Sequence, residues 1–203
     1  MLFNTNIHEA NPLCFIGQDL YQSGSVGAEL MAIGQNEPYA LAVLHIYEDV
    51  HNSVHLVEKE RGFREYFSTN QLTDCTIVTY DLSNHDEAST EQKILQLLDT
   101  PNLRGIFSST SSGSFLAASL LEKHGKNNIR LVGYDLLDQN LKFLRSGMID
   151  FLINQNPKHQ AFTGISHLAN HLLFRKNFQP LHLFPLEVIT RQNLSSYLNS
   201  AIH

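Results

Sequence analysis

Ile129-Arg130-Leu131-Val132-Gly133-Tyr134-Asp135 is a short apolar run that ends in hydrogen-bonding residues, and an amphipathic stretch follows it. The same junction recurs along the chain. Cys14-Phe15-Ile16 leads into Gln18-Asp19, Leu41-Ala42-Val43-Leu44 into His45 and Tyr47, and Ile77-Val78 into Tyr80-Asp81. Gly105-Ile106-Phe107 leads into Ser108-Ser109-Thr110-Ser111. Strand-like runs alternating with one-faced helices are the signature of β-α units around a parallel sheet. In such a sheet the carboxyl ends of the strands face one crevice, so the polar residues at the junctions are expected to converge on a small-molecule pocket. The fold class is α/β, a Rossmann-like parallel sheet with helices on both faces.

Spacing and caps place the helices. Ser23 is expected to cap a helix carrying Val26, Leu30 and Ile33, and Ser89 one carrying Ile94, Leu95 and Leu98. Ser112 or Gly113 opens another, with Phe115, Leu116, Leu120 and Leu121 on one face and a stop at Gly125. After Asn154 the pattern changes. Pro157 starts a helix with Phe162, Ile165, Leu168, Leu172 and Leu173 at helical spacing, and Leu186-Glu187-Val188-Ile189-Thr190 reads as a last strand. Met1-Leu2-Phe3 looks like the tail of a strand with nothing before it, so an amino-terminally truncated lobe is expected.

With 203 residues, 42% of them hydrophobic and 17% charged, the chain can fold around one sizeable core or two small lobes. The formal charge is −6 and the basic residues are scattered, which leaves no footprint for a phosphate backbone. No apolar stretch approaches the roughly 20 residues of a membrane helix, and there is no secretion signal at the start, so a cytoplasmic protein is expected. Cys14 and Cys75 sit in apolar runs and read as reduced core residues.

Asp135 is the first candidate for ligand binding. A carboxylate at a strand end can accept hydrogen bonds from adjacent hydroxyls of a sugar-like ligand, or it can cap the next helix; sequence leaves both open. The hydroxyl-rich stretch Ser108 to Ser114 could meet a polyol or an anion, or form a capped turn, and it lacks the Gly-Lys-Ser/Thr ending of a P-loop. The pairs His51 and His55, and His167 and His171, have helical spacing but neither a third ligand nor an intervening glutamate, so they are read as surface or core histidines. Asp19, Asp81 and Asp135 could instead hold Mg²⁺ in a small metal-dependent phosphatase, although no tight carboxylate pair supports this. There is no Gly-x-Ser-x-Gly elbow for a hydrolase. The chain is expected not to be an enzyme, with no cofactor and no metal.

Taken in order, Gln18-Asp19 with Gly24, Arg61-Gly62-Phe63, Gly105-Ile106-Phe107 and Val132-Gly133-Tyr134-Asp135 resemble the effector-binding domain of lactose-repressor-family transcription regulators. Gly147-Met148-Ile149-Asp150, Gln155-Asn156-Pro157 and Val188-Ile189-Thr190-Arg191-Gln192-Asn193 continue the match over nearly the whole chain. The resemblance implies the type I periplasmic binding protein fold, two α/β lobes around a cleft. It divides the chain into residues 1–13 as a remnant of the first lobe, 14–153 as the effector-binding lobe, 154–183 as a crossover and helix of the first lobe, and 184–203 as a return strand and helix. It implies a sugar or sugar-like effector, a homodimer, DNA contact only through a headpiece absent from this chain, and no membrane contact. A solute-binding protein for sugar uptake or chemoreception shares the fold and is the alternative.

The resemblance also carries residues across. Asp135 matches the family's effector-binding aspartate and Gln155 a cleft residue at the last crossover, while Asn4 and Phe15 fall near the first crossover. Lys59 stands where the family has an arginine, keeping the charge without the planar fork. His55, one helical turn earlier, would face the same cleft. Thr110 replaces a common asparagine.

Overall fold

The computed structural model describes residues 1–3, 11–46, 53–82 and 86–200. Its elements are β1 (Leu2–Phe3), β2 (Phe15–Gly17), α1 (Leu20–Ala32), β3 (Tyr39–Ile46), α2 (Val54–Thr69), β4 (Cys75–Leu82), α3 (Glu87–Leu98) and β5 (Leu103–Ser108). These are followed by α4 (Ser111–Lys123), β6 (Arg130–Tyr134), α5 (Asp138–Ser146), β7 (Phe151–Asn154), α6 (Pro157–Phe174), β8 (Leu181–Leu183), β9 (Glu187–Ile189) and α7 (Leu194–Ser200).

Two sheets form. The larger has six strands in the order β4-β3-β5-β6-β7-β9, parallel except for β9, which runs antiparallel to β7. Every residue of the near-central β3 is buried, as its continuous apolar run Tyr39–Ile46 requires of a strand covered on both faces. Alternate side chains feed two cores. Leu41, Val43, Phe107 and Val132 meet Met31, Phe63 and Phe67 of α1 and α2, whereas Leu44, Ile106, Leu131 and Leu152 meet residues of α3, α4, α5 and α7. Helices α1 and α2 touch backbone to backbone: a Cβ on Gly24 would lie 1.8 Å from the Lys59 carbonyl oxygen, and one on Gly62 would lie 1.9 Å from that of Tyr21. This approach is what the two glycines are for.

The smaller sheet has the order β1-β2-β8, all parallel. The strand Phe15–Gly17, expected at the head of the large sheet, pairs here instead. Its apolar run could serve either sheet, and the chain crosses to the large sheet only after it, at Gln18. Helix α6 lies on this sheet through Gly164, whose missing side chain leaves room for the Phe3 ring. The apolar stripe Phe162, Ile165, Leu168 and Leu172 is exposed, as a helix face that has no sheet of its own to cover it would be.

The helix starts shift from those expected at three places. Asp19, Asp86 and Thr110 are the N-caps of α1, α3 and α4, each accepting a backbone N–H three residues on at 2.8, 2.8 and 3.1 Å. Ser23, Ser89 and Ser112 lie inside the helices, because the earlier oxygen is the one placed to accept from the first turn. Pro157, by contrast, opens α6 as expected, with Asn156 as its cap. Cys14 and Cys75 are both free thiols.

Candidate functional site

Three crossings join the two sheets, at residues 18–19, 155–156 and 184–186, and one side chain clasps them. Gln18, almost fully buried, donates from Nε2 to the Asn154 carbonyl at 2.9 Å and to the Pro185 carbonyl at 2.8 Å. Beside it a cavity of about 430 Å³ opens between the small sheet and the first turns of α1 and α2. Phe15, Val54, Leu181 and Leu183 form its apolar wall, and Gln18, Asp19, Tyr21 and Glu58 its polar rim.

The tips of β5, β6 and β7 are tied together by side chains. The Lys59 ammonium donates to the Ser109 carbonyl at 3.0 Å and lies 3.6 Å from the centroid of the Tyr134 ring. The Tyr134 hydroxyl in turn meets Ser23 Oγ at 2.7 Å, and burial pushes its phenol pKa up. Asp135 sits in the left-handed region at φ 61°, a conformation that a non-glycine residue adopts only where its surroundings hold it. Its two carboxylate oxygens accept from Gln155, Oδ1 from the backbone N–H at 3.1 Å and Oδ2 from the side-chain Nε2 at 3.0 Å. The cap of α5 is Leu137, so Asp135 is not a helix cap.

Of the expected site residues, Asp135 and Gln155 are bonded to each other, and Phe15 lines the cavity. Lys59 and Thr110 are drawn to the same strand tips but are buried, Lys59 at 2% exposure. The Thr110 hydroxyl caps α4, and the Lys59 ammonium is committed to protein partners. His55 lies on the first turn of α2, partly buried and already engaged. Asn4 and His51 lie outside the described residues.

Sequence reading missed two features here. Gln18 was legible only as part of a motif, since its role depends on two carbonyls far along the chain. The other is a polar chain under α2. Fully buried His45 contacts Ser109 Oγ through Nδ1 at 2.6 Å and Glu60 through Nε2 at 2.7 Å, and Glu60 also binds Arg64 at 2.7 Å and Thr79. Burial pushes the Glu60 carboxyl up, but hydrogen bonds from His45, Thr79 and Arg64 outweigh it and hold the pKa at about 2. The order serine, histidine, glutamate imitates a nucleophilic triad. It offers no nucleophile, because Ser109 is buried and its hydroxyl donates to the Leu44 carbonyl at 3.1 Å.

The carboxylates of the phosphatase alternative do not assemble. Asp19 caps α1, Asp81 stands in the edge strand β4, and Asp135 is held by Gln155. Among the described residues no three His, Cys, Asp or Glu side chains cluster as metal ligands. No helix among them is long and apolar enough to cross a membrane.

A two-sheet α/β body with a cavity at its crossings is the architecture of a binding protein. Residues 1–176 match the periplasmic binding protein domain model, and the chain belongs to that family. Among solved structures it is similar to a candidate LacI transcriptional regulator from Bacteroides fragilis, with a TM-score of 0.83 and 28% identity over 96% of this chain and 67% of that one. It is also similar to an ABC transporter solute-binding protein from Burkholderia graminis in complex with D-arabinose, with a TM-score of 0.85 and 21% identity over 96% and 68% of the two chains. A carbohydrate transporter solute-binding protein from Agrobacterium radiobacter, also in complex with D-arabinose, gives a TM-score of 0.84 and 18% identity over 98% and 68%. No curated protein sequence matches the chain.

Proposed function

We propose that this chain is the ligand-sensing part of a lactose-repressor-family transcription regulator, and that it binds a sugar or similar polyol between its two sheets without doing chemistry on it. The observation that carries the reading is the link between Asp135 and Gln155. It ties a strand tip of the large sheet to a crossing. An ionised carboxylate offers about four acceptor sites, and Gln155 occupies two of them. Adjacent ligand hydroxyls take the others or displace Gln155. Either event acts on the crossing and shifts the population of lobe arrangements. Of the three structures compared, the candidate regulator shares the largest identity, 28%.

In this reading the protein works in the cytoplasm as a homodimer, and DNA is contacted by a separate headpiece, because a chain of net charge −6 has no basic stripe of its own. The uncharged exposed stripe of α6 supports the dimer. The second reading, a solute-binding protein for sugar uptake, is favoured by the fold match to two proteins holding D-arabinose.

Calorimetric titration with a panel of pentoses and hexoses tests the shared part: at least one binds, and Asp135→Ala weakens it by at least about tenfold. Sugar-dependent release of DNA by the protein, read in a mobility-shift assay with its own upstream region, supports the regulator. Sugar binding by the full-length protein, including whatever precedes this chain, with no DNA binding under any condition favours transport instead.

A further inference from the structure

We propose that the interlobe cavity selects neutral or ammonium-bearing ligands with an apolar face, and rejects phosphorylated and carboxylated ones. The proposal rests on reading that cavity as the ligand site.

Among the described residues the polar rim contains two carboxylates, Asp19 and Glu58, and no lysine or arginine. The guanidinium of Arg61, which touches two rim residues, stacks on the Tyr21 ring at 4.6 Å and is paired with Glu58 at 2.6 Å and Glu65 at 3.8 Å. Glu65 also accepts from the Tyr21 hydroxyl at 2.8 Å. Two carboxylates, Glu58 and Glu65, therefore hold that one cation, and Asp19 adds a further negative charge to the rim. Lys59 does not correct the balance, because its ammonium is buried under the strand tips on the Ser109 carbonyl and the Tyr134 ring. To reach an anion it would have to give up these contacts.

The segments that follow β1 and β3 add no permanently charged cation. Residues 4–10 and 47–52 contain no lysine or arginine and carry Glu9, Glu48 and Asp49. The positive helix ends offer little in return. The end of α1 is answered by its Asp19 cap, and that of α2, which has no side-chain cap, contributes roughly half a charge. An anionic ligand would lose its hydration and meet net repulsion. The wall of Phe15, Val54, Leu181 and Leu183 favours a ligand with one apolar face.

The charge can be read without knowing the ligand. Val54 is half exposed on the cavity wall, and in Val54→Cys its thiol is modified with trimethylammonium-ethyl and with sulfonatoethyl methanethiosulfonate. Rates are normalised to a free thiol and corrected for the parent chain. The cationic reagent should react faster on the order of tenfold, and added salt should narrow the ratio. Glu58→Gln should remove most of the preference. Equal rates, or a faster anionic reagent, overturn the proposal. In parallel, D-galactose, D-galactosamine and D-galacturonate are titrated by calorimetry. Galacturonate binding as tightly as galactose also overturns it. A cationic preference with no sugar bound by the chain upholds charge selection and removes the sugar reading instead.

Discussion

In the six-stranded sheet the strand β3 is buried along its whole length, and helices seal both faces. In the three-stranded sheet, α6 turns Gly164 inward and leaves Phe162 and Ile165 each 68% exposed. The two regions also differ in charge. Most carboxylates belong to the first, whereas no aspartate or glutamate lies between Asp150 and Glu187, a stretch holding Lys158, Arg175, Lys176 and four histidines. Those histidines form a chain of rings with two phenylalanines. His159 meets Phe184, Phe184 meets His182, His182 meets His167, and Phe178 bridges His167 to His171, at centroid separations of 5.0 to 5.4 Å. One region is stabilised by depth of burial, the other by ring contacts near the surface, and the cavity proposed as the ligand site lies where they meet.

The widest gap between the regions should appear on truncation. Phe107 is fully buried and stacks on Phe63 at 4.6 Å, so Phe107→Ala should cost about 3–5 kcal/mol in urea denaturation. Leu172→Ala on the outer face of α6 should stay within about 0.5 kcal/mol for the isolated monomer. A large cost there, growing with protein concentration, would show that the stripe is covered in a dimer.

Removing charge from the polar chain should rank next, with Glu60→Gln costing about 2–3 kcal/mol, since His45 and Arg64 would lose a charged acceptor. The folded pKa of this carboxyl, about 2, lies below its ordinary 4.5. Its contribution is therefore complete above pH 4.5 and is lost as pH falls toward 2, which acid titration of the parent and of Glu60→Gln would reveal as a difference in slope.

At the boundary, Gln18→Ala should cost about 1–2 kcal/mol by freeing the Asn154 and Pro185 carbonyls. Its larger signature should be faster hydrogen exchange in β8 without a change in β3.

The smallest effect is on pH. Burial, together with His167 and His159, lowers the His182 pKa from 6.5, so the folded small sheet favours the neutral ring. Its stabilisation is present above pH 6.5 and fades as pH falls below that value. Amide exchange in β8 should then rise at pH about 5 relative to about 7, while β3 stays protected.

How far the sequence could be read follows the same division. The large sheet was legible because each run, such as Leu41 to Leu44 or Leu131 to Tyr134, is apolar enough to demand burial and ends in a polar junction. The assignment of Phe15–Gly17 to the small sheet was not, because three apolar residues satisfy either sheet and only pairing with Leu2 and Leu181 decides. The pairing of Asp135 with Gln155 was legible only in part, Asp135 from its strand end and Gln155 through the family resemblance alone. The burial of Lys59 was not, because a lysine in a polar-looking helix gives no sign that its ammonium sits over a tyrosine ring. Nor was Gln18 as a clasp, whose partners lie 136 and 167 residues away.

The central claim is that the cavity at the crossings is where a neutral polyol binds. Calorimetry of a pentose and hexose panel, including D-arabinose, against the parent chain and Val54→Arg tests it most directly. Saturable binding of at least one sugar to the parent is expected, with a loss of at least about tenfold in the variant and an unchanged melting temperature. Equal affinity in the two proteins, or no sugar bound by the parent, would contradict it.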